Sequence, residues 1–395
     1  MQTSRRTVLR TAALVGGLAA TGLAPIGRAI AGAPAILKPL PVPWFVDYGT
    51  NAETKWESSV TSRYLTTPAR LFVRNHTATP TIDAASYALR VFGDGLTTPR
   101  TADDAVTLTL ADLKRLPRAT LVATHECTGN GRSYFASQQG TPASGTAWTL
   151  GAVGNVKWEG VWLRDVLKKI GVDRDAVSIQ ATGLDAPYSS GGVDYGPVRR
   201  PFPVTKAFGD ALLAWRMNDK PLLPDHGYPL RLVLPGWVGI ASIKWLGSLE
   251  VSLQELTSPW NTKWYRMTGG GYPADTPPLT VNPVRSAWEL PAGAAFDAGR
   301  PAVLTGRSWS GAAPVRRVDV SVDGGATWKR ARIERAAYQK GWTQWSYTWE
   351  RPPAGDHVLM ARATDAAGRT QPLETPFNDN GYFFDAVVKH PVTVV

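Results

Sequence analysis

The chain has 395 residues, 43% of them hydrophobic, which is enough to bury a sizeable core without staples and sets an expectation of two or three domains. Its 38 Gly, 31 Pro and 16 Trp against 4 Met speak for many short strands rather than a helical bundle, and its one Cys excludes an intramolecular disulfide framework. The formal charge of +11 is spread without any run of like charges that would read as a nucleic-acid tail, and it fits a small anionic substrate as well as any polymer.

Ser4-Arg5-Arg6-Thr7-Val8-Leu9 places a twin arginine before a mildly apolar stretch from Ala12 to Ile26, and Ala29-Ile30-Ala31 supplies small residues where a signal peptidase would cut. Residues 1–32 resemble a twin-arginine translocation signal. That resemblance implies export to the periplasm in folded form, the route a cell needs when a tightly held cofactor is inserted first. An ordinary secretory signal or an N-terminal anchor is the alternative, but Gly16, Gly17, Gly22 and Pro25 make the stretch a poor spanning helix. No other segment of the sequence is apolar enough to cross a membrane.

Leu37 to Tyr64 is rich in proline and aromatic residues without periodicity and reads as an extended arm, with regular structure starting near Leu71. Tyr87 to Val91 alternates like a half-buried strand, and Thr109 can cap a short helix carrying Leu110, Leu113 and Leu116 before Pro117 stops it. Leu121 to Thr124 reads as a strand running into the loop that holds Cys127. Apolar positions at Val161, Leu163, Val166, Leu167 and Ile170 predict a helix over 161–170, and Leu230 to Leu234 a buried strand ended by Pro235-Gly236. From Ser258 to Pro283 the chain turns Gly-, Pro- and Thr-rich, as a linker does, which puts a first domain at 33–260 and a second at 275–395. Ala302–Leu304, Val318–Val322, Trp345–Trp349 and Val358–Ala363 are short strands at the spacing of an immunoglobulin-like sandwich. Ser321 to Trp328 resembles a single Asp-box hairpin; as one copy it reads as a turn built on Asp323-Gly324-Gly325.

His125-Glu126-Cys127-Thr128-Gly129-Asn130-Gly131-Arg132 follows a strand and is crowded with glycine, which lets backbone approach a ligand closely. Alone, Cys127 reads as a buried small hydrophobe before it reads as a ligand, and five scattered His do not make a zinc site with it. The wider pattern is specific: Phe72-Val-Arg74-Asn75-His76, Glu126 to Arg132, Trp148 to Asn155, Asp225-His226-Gly-Tyr-Pro-Leu-Arg231, Pro235 to Gly239 and Ile243-Lys244-Trp245-Leu246. In order and spacing these segments, over about residues 65 to 395, resemble the sulfite oxidase family of molybdopterin-dependent oxidoreductases.

The resemblance implies an α+β, β-rich chain: a mixed α/β molybdenum-cofactor domain followed by an immunoglobulin-like dimerisation domain, hence a homodimer. It implies one molybdenum-pyranopterin per chain, with Cys127 as the single protein thiolate on the metal and no haem in this chain. Phe72, Asn75, His76, Asp185, His226, Arg231 and Lys244 fall on the family's cofactor-binding positions. Arg74, Arg132, Trp148 and Tyr265 fall on its substrate pocket, where guanidinium forks suit a tetrahedral dianion. A departure stands at Asn380, where animal sulfite oxidases carry a further arginine, so one cation of that pocket is missing. The implied activity is oxidation of sulfite to sulfate by oxygen-atom transfer, with electrons passed to an external cytochrome c. Alternatives are another small substrate on the same fold, such as a sulfane group or nitrate, or a non-catalytic exported binding protein. Molybdenum content separates the last of these from the others.

Overall fold

The structure, a computed structural model, describes residues 35–59, 64–291 and 293–395. The export signal expected over residues 1–32 lies outside the described residues. Among those described, no helix is long and apolar enough to cross a membrane.

Among the described residues the helices are short, and the first shows its local chemistry plainly. Thr109 caps Leu110–Lys114: its side chain accepts from Asp112 N while Asp112 accepts from Thr109 N, so two otherwise free donors are satisfied reciprocally. The helix expected from Val161 starts instead at Leu163 and ends at Ile170. Val161 and Trp162 extend the Val153–Trp162 strand, where Val161 faces Arg118 on one side and Leu213 on the other. Two ladders of backbone bonds, joined by a β-branched and an aromatic residue, outweigh the helical spacing there.

The expected extended arm is also corrected. Phe45–Asp47 and Asn51–Thr54 pair with each other and then with Val73–Arg74 in a three-stranded antiparallel sheet, with Asn51 opposite Arg74. Phe45, Ala52 and Val73 are buried together beneath it. This sheet brings Arg74 and Asn75 to the cavities described below.

Two larger sheets complete the first half. One runs in the order Arg199–Pro203, Ser178–Gly183, Leu246–Ser252, Ala88–Phe92, Val106–Thr109, with its third and fourth strands parallel. The other runs Lys220–Pro221, Leu212–Met217, Val153–Trp162, Arg118–Glu126, and Arg231–Val233 also pairs with Leu212–Met217. Leu89, Val91, Val161, Leu167, Leu213 and Leu249 are fully buried in the core between the elements.

Residues 285–394 form a β-sandwich. Arg285–Trp288, Ala302–Trp309, Thr343–Trp349 and Arg332–Arg335 make a four-stranded sheet; Ala295–Phe296, His390–Val394, Gly355–Asp365, Val315–Ser321 and Lys329–Arg330 make a five-stranded one. Their inner faces meet over Trp288, Leu304, Val318, Trp345, Leu359 and Ala363. Asp323 ends the Val315–Ser321 strand in a turn, where it accepts from Thr327 N at 2.9 Å, and the chain returns as Lys329–Arg330.

The stretch read as a linker is packed. Pro259–Thr262 is a helical turn, and Trp260, Tyr265 and Leu279 are buried in the first core. From the sandwich, Lys340 reaches the outer edge of the Arg118–Glu126 strand, donating to Val122 O at 3.0 Å and accepting from Thr124 N at 2.9 Å.

Candidate active site

The Arg118–Glu126 strand ends in a tight loop that presents Cys127. Cys127 N donates to Ala152 O and its carbonyl accepts from Asn130 N, both at 2.9 Å, while Asn130 Oδ1 accepts from Ala152 N at 3.1 Å. The thiol lines two adjoining cavities with about 710 and 870 Å³ of open space, which share Arg74, Asn75, His76, Cys127 and Tyr265. Every site residue expected from the sequence lines one or both. The first also holds Phe72, Asp185, His226, Arg231 and Lys244; the second holds Arg132 and Trp148.

The first cavity is walled by cations held by backbone. Arg231 donates from Nη1 to His226 O at 3.1 Å and from Nη2 to Ser242 O at 3.0 Å, and lies 4.8 Å over the Trp158 ring. Lys244 Nζ donates to Asp225 O at 2.9 Å and to Asn75 Oδ1. His76 Nε2 accepts from Trp260 Nε1 at 3.0 Å, which fixes that ring edge-on to the indole. Asp225, fully buried, accepts from Leu37 N at 2.9 Å, Lys38 N at 2.7 Å and Thr79 Oγ1 at 2.6 Å, so the N-terminal segment is laced to the floor of this cavity.

In the second cavity Arg132 donates from Nε to Asn380 O and from Nη1 to Thr146 O, both at 2.7 Å. A Cβ on Gly381, whose φ is +56°, would stand 2.6 Å from Arg132 Cγ, so only glycine lets the chain pass the guanidinium stem there. Tyr265 stacks on Tyr382 with centroids 5.2 Å apart and planes 11° from parallel, beside Arg132. Trp148 is buried edge-on to Tyr48 and Phe72.

The electrostatics are those of a site short of negative charge. Burial holds His76, His125 and His226 well below the usual histidine range, and Lys244 adds to this at all three. Lys244 is itself held well below the usual lysine range by burial and by Arg231, against the pull of Asp225 and Asp185. Arg231 is pushed down to about 9 by burial. Burial raises the Cys127 thiol, opposed by Arg74 and Arg132. Arg74 Nη1, Arg231 Nε and Thr128 Oγ1 are buried without a hydrogen-bond partner. Such donors call for an anionic, hydrogen-bonding ligand in the cavity, because burying them unpaired costs stability.

Sequence reasoning passed over His125, stacked on Phe72 at 5.8 Å and one residue ahead of the Glu126 to Arg132 motif, and Asp225, which opens a motif of its own. It also missed Tyr188 and Trp264, which line the second cavity and had no motif to announce them.

A cationic cavity with one soft sulfur donor at its wall, on a β-rich domain followed by a β-sandwich, is the arrangement of a molybdopterin-dependent oxidoreductase. Residues 76–260 match the oxidoreductase molybdopterin-binding domain, and residues 288–392 the Mo-co oxidoreductase dimerisation domain. The chain is 36% identical to sulfite oxidase of Gallus gallus over 341 residues, 82% of this chain and 71% of that one. It is 33% identical to mitochondrial sulfite oxidase of Homo sapiens over 79% of this chain but only 58% of that protein. The sulfane dehydrogenase SoxCD from Paracoccus pantotrophus superposes with a TM-score of 0.75 at 27% identity, over 93% of each chain. The chain belongs to the sulfite oxidase family.

The residues present fit the family's cofactor. Buried cations with unpaired donors suit a phosphate-bearing pterin, and among the described residues no three His, Cys, Asp or Glu gather into a metal site of their own. A metal whose other donors come from the pterin needs only one protein thiolate, and Cys127 is placed to give it. When bound, the cofactor supplies two-electron oxygen-atom transfer chemistry.

Proposed function

We propose that this enzyme oxidises sulfite: sulfite and water yield sulfate, two protons and two electrons, the electrons leaving one at a time to an external cytochrome c. The observation that carries this reading is that Arg74 and Arg132 converge with Cys127 and Tyr265 on the second cavity. Arg132 is held by two backbone carbonyls, which leaves its Nη2 free to meet an oxyanion, and Arg74 has a buried, unpaired Nη1. Fixed guanidinium donors cost little reorganisation when the anion arrives. On this reading Cys127 holds the metal, while His76, His226, Arg231 and Lys244, with Phe72, Asn75 and Asp185, hold the pterin and its phosphate.

The same reading has the protein exported folded to the periplasm through the twin-arginine route and paired as a homodimer through residues 288–392, which match a dimerisation domain. A sulfane group is the second reading, supported by the likeness to SoxCD over nearly the whole chain and by the uncharged Asn380 at the pocket. Metal analysis of the purified holoprotein, followed by turnover with sulfite and cytochrome c, tests the proposal. Stoichiometric molybdenum without sulfite oxidation would sink sulfite as substrate and leave the sulfane group to assay next.

A further inference from the structure

The β-sandwich reaches the Cys127 loop through one carboxylate. Glu126 is the last residue of its strand and Cys127 the next, so their side chains leave on opposite sides of the backbone. Cys127 faces the cavities; Glu126, 2% exposed, faces the sandwich. There Glu126 Oε1 accepts from Arg285 Nη1 at 2.8 Å and from Asn130 Nδ2 at 2.9 Å, and Oε2 accepts from Trp309 Nε1 at 2.8 Å. Arg285 Nη1 also donates to Asn130 O at 2.7 Å, so a single guanidinium holds both ends of the turn that carries the thiol. Arg285 and Trp309 sit on neighbouring strands of the four-stranded sheet of the sandwich and are 3% and 2% exposed. A Cβ on Gly131, whose φ is +87°, would stand 2.6 Å from Arg285 Nη2, so the loop is shaped to admit this arginine.

We propose that Arg285 and Trp309 are positioning residues for the metal's thiolate: by fixing Glu126 from the sandwich side they fix the direction in which Cys127 presents its sulfur. This rests on the reading of Cys127 as the metal ligand. The physical basis is that a buried carboxylate stripped of one donor moves or draws in water, and its neighbour one residue on moves with it. A contact that only glued the sandwich to the first half would change stability and leave the thiolate unaffected.

The test uses the full chain in two states. Cys127 is the only cysteine, so in cofactor-free protein its alkylation by iodoacetamide reports the loop alone. Trp309→Phe removes the Nε1–H donor and keeps an aromatic ring; Arg285→Lys keeps the charge and loses the fork. Well below each variant's unfolding temperature, Trp309→Phe should be alkylated about tenfold faster than wild type, with Arg285→Met faster still and Arg285→Lys between Arg285→Met and wild type. In holoprotein both conservative variants should shift the cysteine-dependent visible absorption and lower kcat for sulfite with KM unchanged. Wild-type alkylation rates and spectra in Trp309→Phe and Arg285→Lys would overturn the proposal. So would failure of both to fold, which would make the contact a folding element. Were the wild-type holoprotein to lack an absorption band that Cys127→Ser removes, the ligand reading itself would fail, separately from the alkylation result.

Discussion

The backbone carbonyl of Asn380 accepts a hydrogen bond from Arg132 Nε at 2.7 Å, so it orients one of the two arginines that line the second cavity. The Asn380 side chain donates to Thr268 Oγ1 at 3.2 Å. Asn380→Ala should therefore change KM for sulfite little, since the carbonyl stays. Arg74→Gln should raise it by about one to two decades, the equivalent of a charge-assisted bond in a desolvated pocket. Asn380→Arg should lower KM. Steady-state kinetics at low, fixed ionic strength compare the three; an unchanged KM in Arg74→Gln would show that the anion binds elsewhere.

Cys127→Ser should abolish turnover and leave the thermal unfolding transition of the cofactor-free chain close to wild type. The thiol is half-buried and its backbone bonds to Ala152 and Asn130 do not involve sulfur, so the fold keeps its loop while the soft donor is lost. Turnover near wild type at full metal occupancy would contradict the assignment.

Asp225→Ala should destabilise the chain by about 3 kcal/mol, because it strands Lys38 N and Thr79 Oγ1 in a buried setting and frees the part-buried Leu37 N at once. Lys38, held down to about 7 by burial against the pull of Asp225, loses its counter-charge in the same step. Chemical denaturation of cofactor-free protein measures this; a change under about 1 kcal/mol would mean that water replaces the carboxylate.

Stability should fall as pH drops from about 6.5 to 4. Burial pushes His390 down to about 4; its Nε2 is buried without a partner although the residue as a whole is half-buried. A histidine lowered by folding takes its proton more readily in the unfolded chain. The native state thus loses ground below the ordinary histidine value, by about 3 kcal/mol once pH 4 is reached, and no further below it. The pH dependence of unfolding in His390→Asn should be shallower than in wild type across that window, and equal slopes would reject the assignment.

Export should fail in Arg5→Lys with Arg6→Lys, leaving active enzyme in the cytoplasm. Fractionation followed by the sulfite assay checks it, and periplasmic activity surviving the double change would point to another route.

What the sequence made legible was local or carried by whole motifs. Thr109 announced its cap directly ahead of Leu110, and the Cys127 loop was readable because a strand, glycines and Arg132 sit within a few residues. The strands at 45–47 and 51–54 were not, since three- and four-residue strands give no periodicity and their further partner, Val73–Arg74, lies beyond a proline-containing loop. Composition misled at 258–283: glycine and proline signal a break in regular structure, yet Trp260 and Tyr265 anchor that stretch in the core. Arg285 meets Glu126 across 159 positions, a pairing that no local pattern in one chain can announce.

Lys340 carries a last consequence, for modularity. The Arg118–Glu126 strand is the outermost of its sheet, and such an edge offers unpaired backbone to any neighbouring chain. Here the edge is capped at Val122 and Thr124 by a loop from the sandwich, more than two hundred positions further on. The first half released from its sandwich would expose that edge together with the buried Glu126 carboxylate, and would self-associate through it. The two segments therefore cannot be traded between relatives as interchangeable cassettes unless the 336–341 loop and Arg285 travel with them.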